Sequence, residues 1–443
     1  MSVEAPASLV FRRLPGRDLP TVARASGAVV WDTEGRRYLD GSGGAVVVNI
    51  GHGREEVAAA MARQAATAAY VHGTQFTSEV LEEYARRLAV HAPGDCRRLY
   101  LLSGGSEATE TAVKLARAYH VARGEPGRHK VVGRTVSYHG NTIGALALSG
   151  RPTLQAPYTP LLSAVPRAAA PFCYHCPLGR EYPSCALACA EDLEAVIARE
   201  GAGTIAAFIA EPILGASAGA AVPPDEYTRH VRETCRRHSI VYIDDEVMTG
   251  FGRTGRWFGI EWSGAVPDLV TCGKGMSGGY APVGAVLAGE AIVQTVERAG
   301  GFVHGFTFSH HPVTAAACLA TLDILERERL VERAAAMGER ALARMQELRT
   351  RPHVGDVRGR GLMLAVELVA DERTRRPFPR SERRAEAVAA RAFADGLIVY
   401  PSAGCATGTE GDAVMLAPPF VVTTDELDEM VGMLGRAIEA ELA

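Results

Sequence analysis

Short apolar runs and longer amphipathic segments alternate along most of the chain. Each apolar run is bounded by polar or glycine residues and predicts a strand, over 99–102, 130–133, 205–210, 240–243, 269–271 and 283–288. Apolar residues recur at helical spacing from about residue 54, over 106–122, near 225–238, and in a long stretch over 312–349. Strands that alternate with helices are typical of a sheet covered by helices, so the pattern predicts an α/β fold with a mainly parallel sheet.

A second and shorter α/β pattern follows the long helical stretch, with apolar runs at 362–368 and 397–400 and helical periods at 382–395 and from 425 onward. Near the other end, residues 28–39 predict a hairpin that turns at Glu34 and Gly35. We place a domain boundary inside the long helical stretch. The predicted division is an N-terminal segment that joins the small domain, a large domain and a C-terminal small domain, at 1–60, 61–325 and 326–443.

Composition and charge are those of an ordinary globular protein. The 443 residues include 47 Lys plus Arg and 51 Asp plus Glu, for a net charge of −4, and 47% are hydrophobic. This balance excludes a disordered chain and a nucleic-acid-coating protein. We find neither a signal peptide nor an apolar run of the ~20 residues that a membrane helix needs. We therefore expect a cytoplasmic protein that binds neither membranes nor nucleic acid.

Lysine is almost absent, since Lys114, Lys130 and Lys274 are the only three among 47 basic residues. A lysine in such a chain can do what arginine cannot, which is to lose its proton near neutral pH and attack a carbonyl carbon. Lys274 directly follows an apolar strand and lies among glycines, whereas the other two lie in a helix and a polar turn. Lys274 is therefore the candidate nucleophile, with an ordinary loop cation as the alternative.

Two further groups at strand ends point to one ligand. Asp244 and Asp245 end an apolar strand, and because side chains alternate along a strand they must face opposite sides of the sheet. The carboxyl ends of parallel strands are where open α/β folds bind ligands. Gly105 and Ser106 lie between a strand and a helix, where free N–H groups form a phosphate site. Alone, the acids could be a helix cap or a solvated carboxylate at a strand end, and Ser106 could be an ordinary N-cap. A lysine, an acid and a phosphate site together are what a phosphorylated pyridine aldehyde requires.

Over nearly its whole length the sequence resembles the class III pyridoxal-phosphate-dependent aminotransferases of fold type I. The segments that carry this resemblance are WDTEGRRYLDGSGG, SGGSEATETAVKLAR, SYHGNT, AEP, DDEVMTGFGRTG, GKGMSGG, HGFTFSHHP, RGRGLMLAVEL and LAPPFVVTTDEL. The resemblance implies a large domain with a mainly parallel seven-stranded sheet plus a smaller α/β domain. It also implies a homodimer whose active sites lie at the interface.

The resemblance also implies roles for individual residues. Lys274 would be the Schiff-base lysine and Asp245 the partner of the pyridine nitrogen, and these two are the candidate catalytic residues. Among the other candidate cofactor-binding residues, Gly105 and Ser106 would bind the phosphate, and Tyr138 and Val247 would contact the two faces of the ring. His139 and Glu211 would be polar groups near the cofactor, and Thr307 would reach the phosphate of the neighbouring subunit.

The function implied is transfer of an amino group from an amine or ω-amino acid to a keto acid such as pyruvate, through aldimine and ketimine forms of pyridoxal 5′-phosphate. The segment GGAVVVNIGHG resembles the pyruvate-using branch of the family. The family motifs fix the cofactor but not the bond that is broken. A racemase, mutase or decarboxylase on the same scaffold therefore remains an alternative. Another is a binding protein that zinc stabilises and whose active site is no longer functional.

Four of the nine cysteines lie close together in the chain, at Cys173, Cys176, Cys185 and Cys189. Their spacing, C-x2-C-x8-C-x3-C, would allow a tetrahedral zinc site. Metal sites more often pair two C-x2-C motifs, so we favour reduced thiols and assign no metal to the active site.

The substrate pocket departs from the family in two places. Residues 400–416 contain no arginine, although many relatives hold the keto-acid carboxylate with one in this loop. Ala45 and Val46 stand where relatives often carry a bulky aromatic residue. We therefore expect a roomier, less charged pocket that accepts bulky or apolar amines, with the carboxylate bound by another arginine that the sequence does not identify.

Overall fold

The structure is a computed structural model that describes residues 9–14, 16 and 18–442. Its strands, in chain order, are β1 (Val22–Ser26), β2 (Val29–Asp32), β3 (Arg37–Asp40), β4 (Arg98–Leu102), β5 (Lys130–Arg134), β6 (Arg167–Ala168), β7 (Ile205–Ala210), β8 (Val241–Asp245), β9 (Leu269–Gly273), β10 (Gly284–Ala288), β11 (Val354–Arg360), β12 (Met363–Leu368), β13 (Leu397–Ile398), β14 (Tyr400–Ala403) and β15 (Asp412–Leu416).

The α-helices are α1 (Gly43–Val46), α2 (Glu55–Ala68), α3 (Glu79–Leu88), α4 (Gly105–Ala122), α5 (Ile143–Leu148), α6 (Pro152–Gln155), α7 (Ala188–Glu200), α8 (Asp225–Arg237), α9 (Glu290–Arg298), α10 (Pro312–Arg327), α11 (Leu330–Gln346), α12 (Arg384–Ala394) and α13 (Thr424–Leu442). Short 3₁₀ helices span Ala156–Leu161, Ala202–Thr204, Gly259–Trp262, Lys274–Met276, Glu347–Thr350 and Arg380–Glu382.

The central sheet has seven strands in the order β4-β10-β9-β8-β7-β5-β6. All neighbours pair in parallel except β10, which is antiparallel to β4 and to β9. The predicted α/β class, with a mainly parallel seven-stranded sheet and a smaller α/β part, is therefore confirmed. The six strands predicted for this sheet are confirmed to within two residues at each end.

Both faces of the central sheet are covered. Every residue of β7, β8, β9 and β10 is buried, as expected for strands with helices on both sides. Helix α4 packs across β9 and β10 through its small residues, among them Ala108, Ala112 and Ala116. The carboxyl ends of β7, β8 and β9 and the first turn of α4 consequently meet at one edge of the sheet.

Two smaller sheets lie beside the central one, in the orders β1-β2-β3-β13 and β11-β12-β15-β14. The predicted hairpin is β2 and β3, and the Asp32 side chain closes its turn by accepting hydrogen bonds from the amides of Glu34 and Arg36, at 3.0 and 2.9 Å. Strand β13 pairs in parallel with β3, so the two ends of the chain share a sheet. The predicted division at residues 60/61 and 325/326 stays a prediction.

The long helical stretch over 312–349 is interrupted. Helix α10 ends at Arg327 and α11 begins at Leu330, and between them Arg329 has a φ of 51° that no α-helix contains. A periodicity that continues across a two-residue turn does not reveal the turn. Among the described residues, every helix is too short or too polar to span a lipid bilayer.

Candidate active site

A cavity of about 490 Å³ lies at the edge where β7, β8 and β9 end. Eight of the nine site residues predicted from the sequence line it: Gly105, Ser106, Tyr138, His139, Glu211, Asp245, Val247 and Lys274. These residues come from five separate segments of the chain. The order of the strands is what brings them together, because Glu211, Asp245 and Lys274 each stand at the end of a neighbouring strand.

Lys274 directly follows β9 and begins a 3₁₀ turn that the Asn49 side chain holds by donating to the carbonyl of Gly275 at 2.9 Å. The backbone at Lys274 has a φ of 44°, a left-handed conformation that is strained for a residue with a side chain. The residue is half-buried, and burial lowers the pKa of its amino group to about 8. At pH 7 about a tenth of such an amine is neutral, far more than for a lysine in water, which makes it a competent nucleophile.

The other two lysines lie elsewhere. The exposed Lys114 contacts the ring of His304, with Nζ 2.8 Å from Nδ1, and Lys130 forms an ion pair with Glu200 at 3.0 Å. Neither lines the cavity.

Asp245 is the last residue of β8, and its side chain is held from three directions. His139 Nδ1 lies 2.7 Å from one carboxylate oxygen, while the Thr271 hydroxyl and the Val247 amide donate to the other at 3.1 and 3.2 Å. These bonds fix the orientation of a carboxylate that is 4% exposed. Asp244, one residue earlier, faces the other side of the sheet and does not line the cavity.

Glu211 and Arg134 form a buried ion pair behind the cavity, with 2.7 Å between Nη2 and Oε2. Burial opposes the charge of Arg134, but the nearby Glu211 outweighs it and raises the pKa of the guanidinium. Glu211 also accepts a hydrogen bond from the Tyr138 amide at 2.9 Å and lies 3.8 Å from His139 Nε2. The pair thus fixes the loop that carries Tyr138 and His139.

The first turn of α4 faces the cavity through Gly105 and Ser106. Their amides precede the helical hydrogen-bond ladder and cannot be satisfied within the helix, so they form an anion site. A side chain at Gly105 would bring its Cβ within 2.8 Å of Val247 Cγ1. The glycine therefore keeps open the space between the helix terminus and Val247.

The sequence profile of class-III aminotransferases matches residues 16–438. The chain belongs to this family. Its members use pyridoxal phosphate, as the sequence led us to expect.

Individual relatives cover almost the same length. The aminotransferase is 38% identical over 423 residues to the uncharacterized aminotransferase YodT of Bacillus subtilis, with 95% of each chain covered. It is 34% identical to the putrescine–pyruvate aminotransferase of Pseudomonas aeruginosa, over 98% of this chain and 93% of that one. Among solved structures, the thermostable (S)-enantioselective omega-transaminase from Thermomicrobium roseum is 40% identical, with a TM-score of 0.90 over 96% of this chain and 93% of that one.

The residues that line the cavity of the aminotransferase fit the functional groups of pyridoxal phosphate. The amine of Lys274 suits the aldehyde, the amides of Gly105 and Ser106 suit the phosphate, and the oriented carboxylate of Asp245 suits the pyridine nitrogen. His139 Nε2 is buried and has no hydrogen-bond partner among the described residues.

Thr307 lies apart from the cavity in this single chain. It is exposed on the loop 301–310, and its carbonyl accepts a hydrogen bond from the Tyr70 hydroxyl at 2.9 Å. Its predicted contact with the phosphate of a second subunit stays a prediction.

The four clustered cysteines line one small cavity of about 10 Å³, away from the active site. All four are free thiols, and burial raises the pKa of Cys189 to about 11. Across residues 9–14, 16 and 18–442, no group of three or more His, Cys, Asp or Glu side chains is arranged to hold a metal ion.

Beneath the active site, Asp244 and Glu246 form a buried pair of carboxyl groups. Burial and the neighbouring Glu246 raise the pKa of Asp244 well above its usual range, and burial raises that of Glu246 to about 7. Glu246 accepts hydrogen bonds from the Thr249 hydroxyl and the Ile260 amide, whereas neither oxygen of Asp244 has a donor within the described chain. We therefore expect the two carboxyl groups to share one proton near neutral pH.

This pair predicts a pH-dependent stability. A raised carboxyl pKa means that the folded protein binds more protons than the unfolded chain, so stability falls by up to about 1.4 kcal/mol per pH unit as the pH rises from the usual carboxyl range toward 7. Asp244→Asn replaces the shared proton with a permanent amide donor. We expect its thermal midpoint to match wild type at pH 5 and to exceed it by roughly 2–4 °C at pH 8.5.

The control is Glu246→Gln, which removes the other carboxyl and must also flatten the pH dependence of the midpoint. A difference between wild type and Asp244→Asn that is the same at both pH values would contradict the shared proton.

Sequence reasoning missed Arg134, the partner of Glu211. The available signal was a charged residue directly after the apolar run 130–133, the same rule that selected Asp245. It also missed Thr271, which lies inside a strand and whose hydrogen bond to Asp245 depends on the pairing of β8 with β9. No local pattern shows that pairing.

Proposed function

We propose that this aminotransferase transfers an amino group from an amine or ω-amino acid to a keto acid such as pyruvate. The observation that carries the proposal is the junction of two cavities. The cofactor cavity shares Tyr138, Ala216, Met248 and Lys274 with a second cavity of about 840 Å³, which gives a substrate room beside the reactive amine. The similarity to a putrescine–pyruvate aminotransferase and to an omega-transaminase supports the same class of substrates.

Each predicted site residue has a role in this proposal. Lys274 links covalently to pyridoxal phosphate, and Asp245 holds a proton on the pyridine nitrogen through a carboxylate that His139 and Thr271 orient. Gly105 and Ser106 bind the phosphate, while Tyr138 and Val247 contact the two faces of the ring. When bound, pyridoxal phosphate accepts the electrons of the substrate Cα–H bond.

Lys274 also moves the proton. With pyridoxal phosphate bound, the amine of Lys274 would lie beside the reacting carbon, and burial lowers its pKa to about 8. An amine with this pKa can take a proton and return it near neutral pH. Glu211, Arg134 and His139 position the loop around Tyr138 rather than exchange protons with substrate.

The second cavity is lined by apolar as well as charged side chains. Ala45, Ala216 and Met248 line the second cavity, and Ala45 is the position where the sequence led us to expect missing aromatic bulk. The second cavity therefore suits bulky or apolar amines. This preference, and pyruvate as the acceptor, belong to the proposal.

The test is to supply holoenzyme with pyruvate and each of an aryl-alkyl amine, a long-chain amine and β-alanine, and to measure alanine together with the carbonyl product. We expect both in equal amounts, with higher kcat/KM for the two apolar amines than for β-alanine. Strong preference for β-alanine would contradict the roomy pocket but not transamination. A converted amine without alanine would contradict transamination to pyruvate.

We further propose a homodimer with shared active sites. The loop 301–310 exposes apolar side chains next to Thr307, with Val303 93% and Phe308 57% exposed. An apolar loop in contact with water is a common mark of an interface. In the proposed dimer this loop reaches the active site of the partner.

Complementation tests the shared site. Lys274→Ala and Thr307→Ala homodimers each lack one component, but in a mixed dimer one of the two sites has both. Because random exchange makes half of all dimers mixed, we expect about a quarter of wild-type activity after mixing, at a cofactor concentration where Thr307→Ala alone is inactive. Full activity of a stable wild-type monomer would contradict the shared site, as would a mixture no more active than its components.

A further inference from the structure

Arg151 is a cationic side chain without an anionic partner on the wall of the substrate cavity. It lines the second cavity together with Tyr138, Lys274 and Tyr400. Within residues 9–14, 16 and 18–442, no carboxylate lies within ion-pair distance of its guanidinium. Most arginines of this protein that are withdrawn from water pair with an acid or with several carbonyls, so an unpaired one beside the reactive lysine requires an explanation.

The hydrogen bonds of Arg151 leave part of its guanidinium free. One terminal nitrogen donates to the carbonyl of Ala403 at 2.6 Å. Its Nε is buried and has no partner in the described chain. A buried N–H without an acceptor costs stability, and the single bond to Ala403 leaves the other terminal nitrogen without a partner in the described chain.

The backbone around Arg151 holds the side chain in place. The amide of Gly150 donates to the carbonyl of Ser137 at 2.9 Å, which ties this segment to the loop that carries Tyr138. A Cβ at Gly408 would lie 3.1 Å from the carbonyl of Gly150, so the loop 403–411 packs directly on the segment of Arg151. The loop 403–411, which contains no arginine, therefore lies against the segment that contains Arg151.

The other arginines of the cavity are less suited to bind a substrate. Arg380 pairs with Glu386 and with Asp412, and the exposed Arg383 lies 3.5 Å from Glu386. Arg13 is exposed to water near the beginning of the described chain. Only Arg151 combines withdrawal from water with unused donors.

We propose that Arg151 binds the carboxylate of the keto-acid acceptor. The inference rests on the proposed transaminase function and names the residue that selects its acceptor. A guanidinium offers a carboxylate two parallel N–H donors, and such charge-assisted bonds are strongest where water is excluded. The apolar amine donor has no carboxylate and does not use Arg151.

Arg151→Gln tests the proposal, because glutamine keeps a polar side chain of similar reach without the charge. We expect KM for pyruvate to rise tenfold to a hundredfold, with the single-turnover rate of the amine half-reaction within twofold of wild type. With butanal as acceptor, an aldehyde without a carboxylate, kcat/KM stays within twofold of wild type. Arg383→Gln, an exposed arginine of the same cavity, is the matched control and leaves all three values unchanged.

A binding measurement separates this inference from the proposed function. Titration of holoenzyme with propanoate, followed by calorimetry, reports the carboxylate site without turnover, and we expect the Kd to rise tenfold or more in Arg151→Gln. Unchanged propanoate binding and unchanged KM for pyruvate would overturn the role of Arg151. The same loss in Arg13→Gln but not in Arg151→Gln would assign the carboxylate to Arg13 instead.

The role of Arg151 can still be tested if the proposed function is wrong or if the Arg151→Gln variant does not fold. A wild-type enzyme that makes no alanine from pyruvate contradicts the proposed function, whereas propanoate binding still decides the role of Arg151. If Arg151→Gln does not fold, Arg151→Lys keeps the charge but loses the paired donors. We then expect propanoate to bind that variant several-fold more weakly, and wild-type affinity would overturn the proposal.

Discussion

Replacing Lys274 with alanine should leave a folded aminotransferase that binds pyridoxal phosphate without a covalent link and loses turnover by about 10⁴-fold or more. The side chain supplies both the covalent attachment and the amine that carries the proton, and no other lysine lines the cavity. Lys274→Arg should behave in the same way, since a guanidinium does not condense with an aldehyde near neutral pH. Steady-state turnover and the absorbance of bound cofactor measure the two losses.

Lys130→Ala is the matched control for this variant. Lys130 pairs with Glu200 far from the cavity, and its loss removes one partly exposed ion pair. The control should retain covalent cofactor and near wild-type turnover. Retained turnover in Lys274→Ala itself would contradict the assignment.

Asp245→Asn should lower the single-turnover rate with a good amine donor by roughly 10²- to 10³-fold while weakening cofactor binding much less. Asparagine keeps the size of the side chain and can still bond to Thr271 or His139, but it lacks the negative charge that holds a proton on the pyridine nitrogen. Stopped-flow measurement of the amine half-reaction gives the rate, and equilibrium dialysis gives the cofactor Kd.

Asp244→Asn separates position from charge, because this residue is adjacent in sequence but faces away from the cavity. We expect its single-turnover rate to stay close to wild type. A large loss in Asp244→Asn with little loss in Asp245→Asn would show that the acid on the other face of β8 is the one that acts.

The sequence predicts much of the fold because its strands are short, apolar and separated by clear helical periods. The six central strands could therefore be located to within two residues. Strand order is harder to predict, since it depends on contacts between distant segments. The antiparallel position of β10 between β4 and β9, and the pairing of β13 with β3, have no local signal.

The candidate site follows the same rule. Lys274, Asp245 and the first turn of α4 stand directly after apolar strands, so their chemistry can be recognised from neighbouring residues alone. Arg151 could not be found in this way, because it lies in a proline-rich connection. Its proposed role depends on its hydrogen bond to Ala403 and on the cavity that it lines together with Tyr138. Residues that act through tertiary contacts need the structure, whereas residues at strand ends, Arg134 included, carry a signal in the neighbouring sequence.

Trapping the cofactor on the protein is the most direct test of the whole account. Holoenzyme is reduced with borohydride, digested and mapped by mass spectrometry, and only three lysines in the chain can carry the label. The account predicts the label on Lys274 in nearly all molecules and its disappearance when an amine donor is added first. Label on Lys114 or Lys130, with Lys274 unmodified, would contradict it.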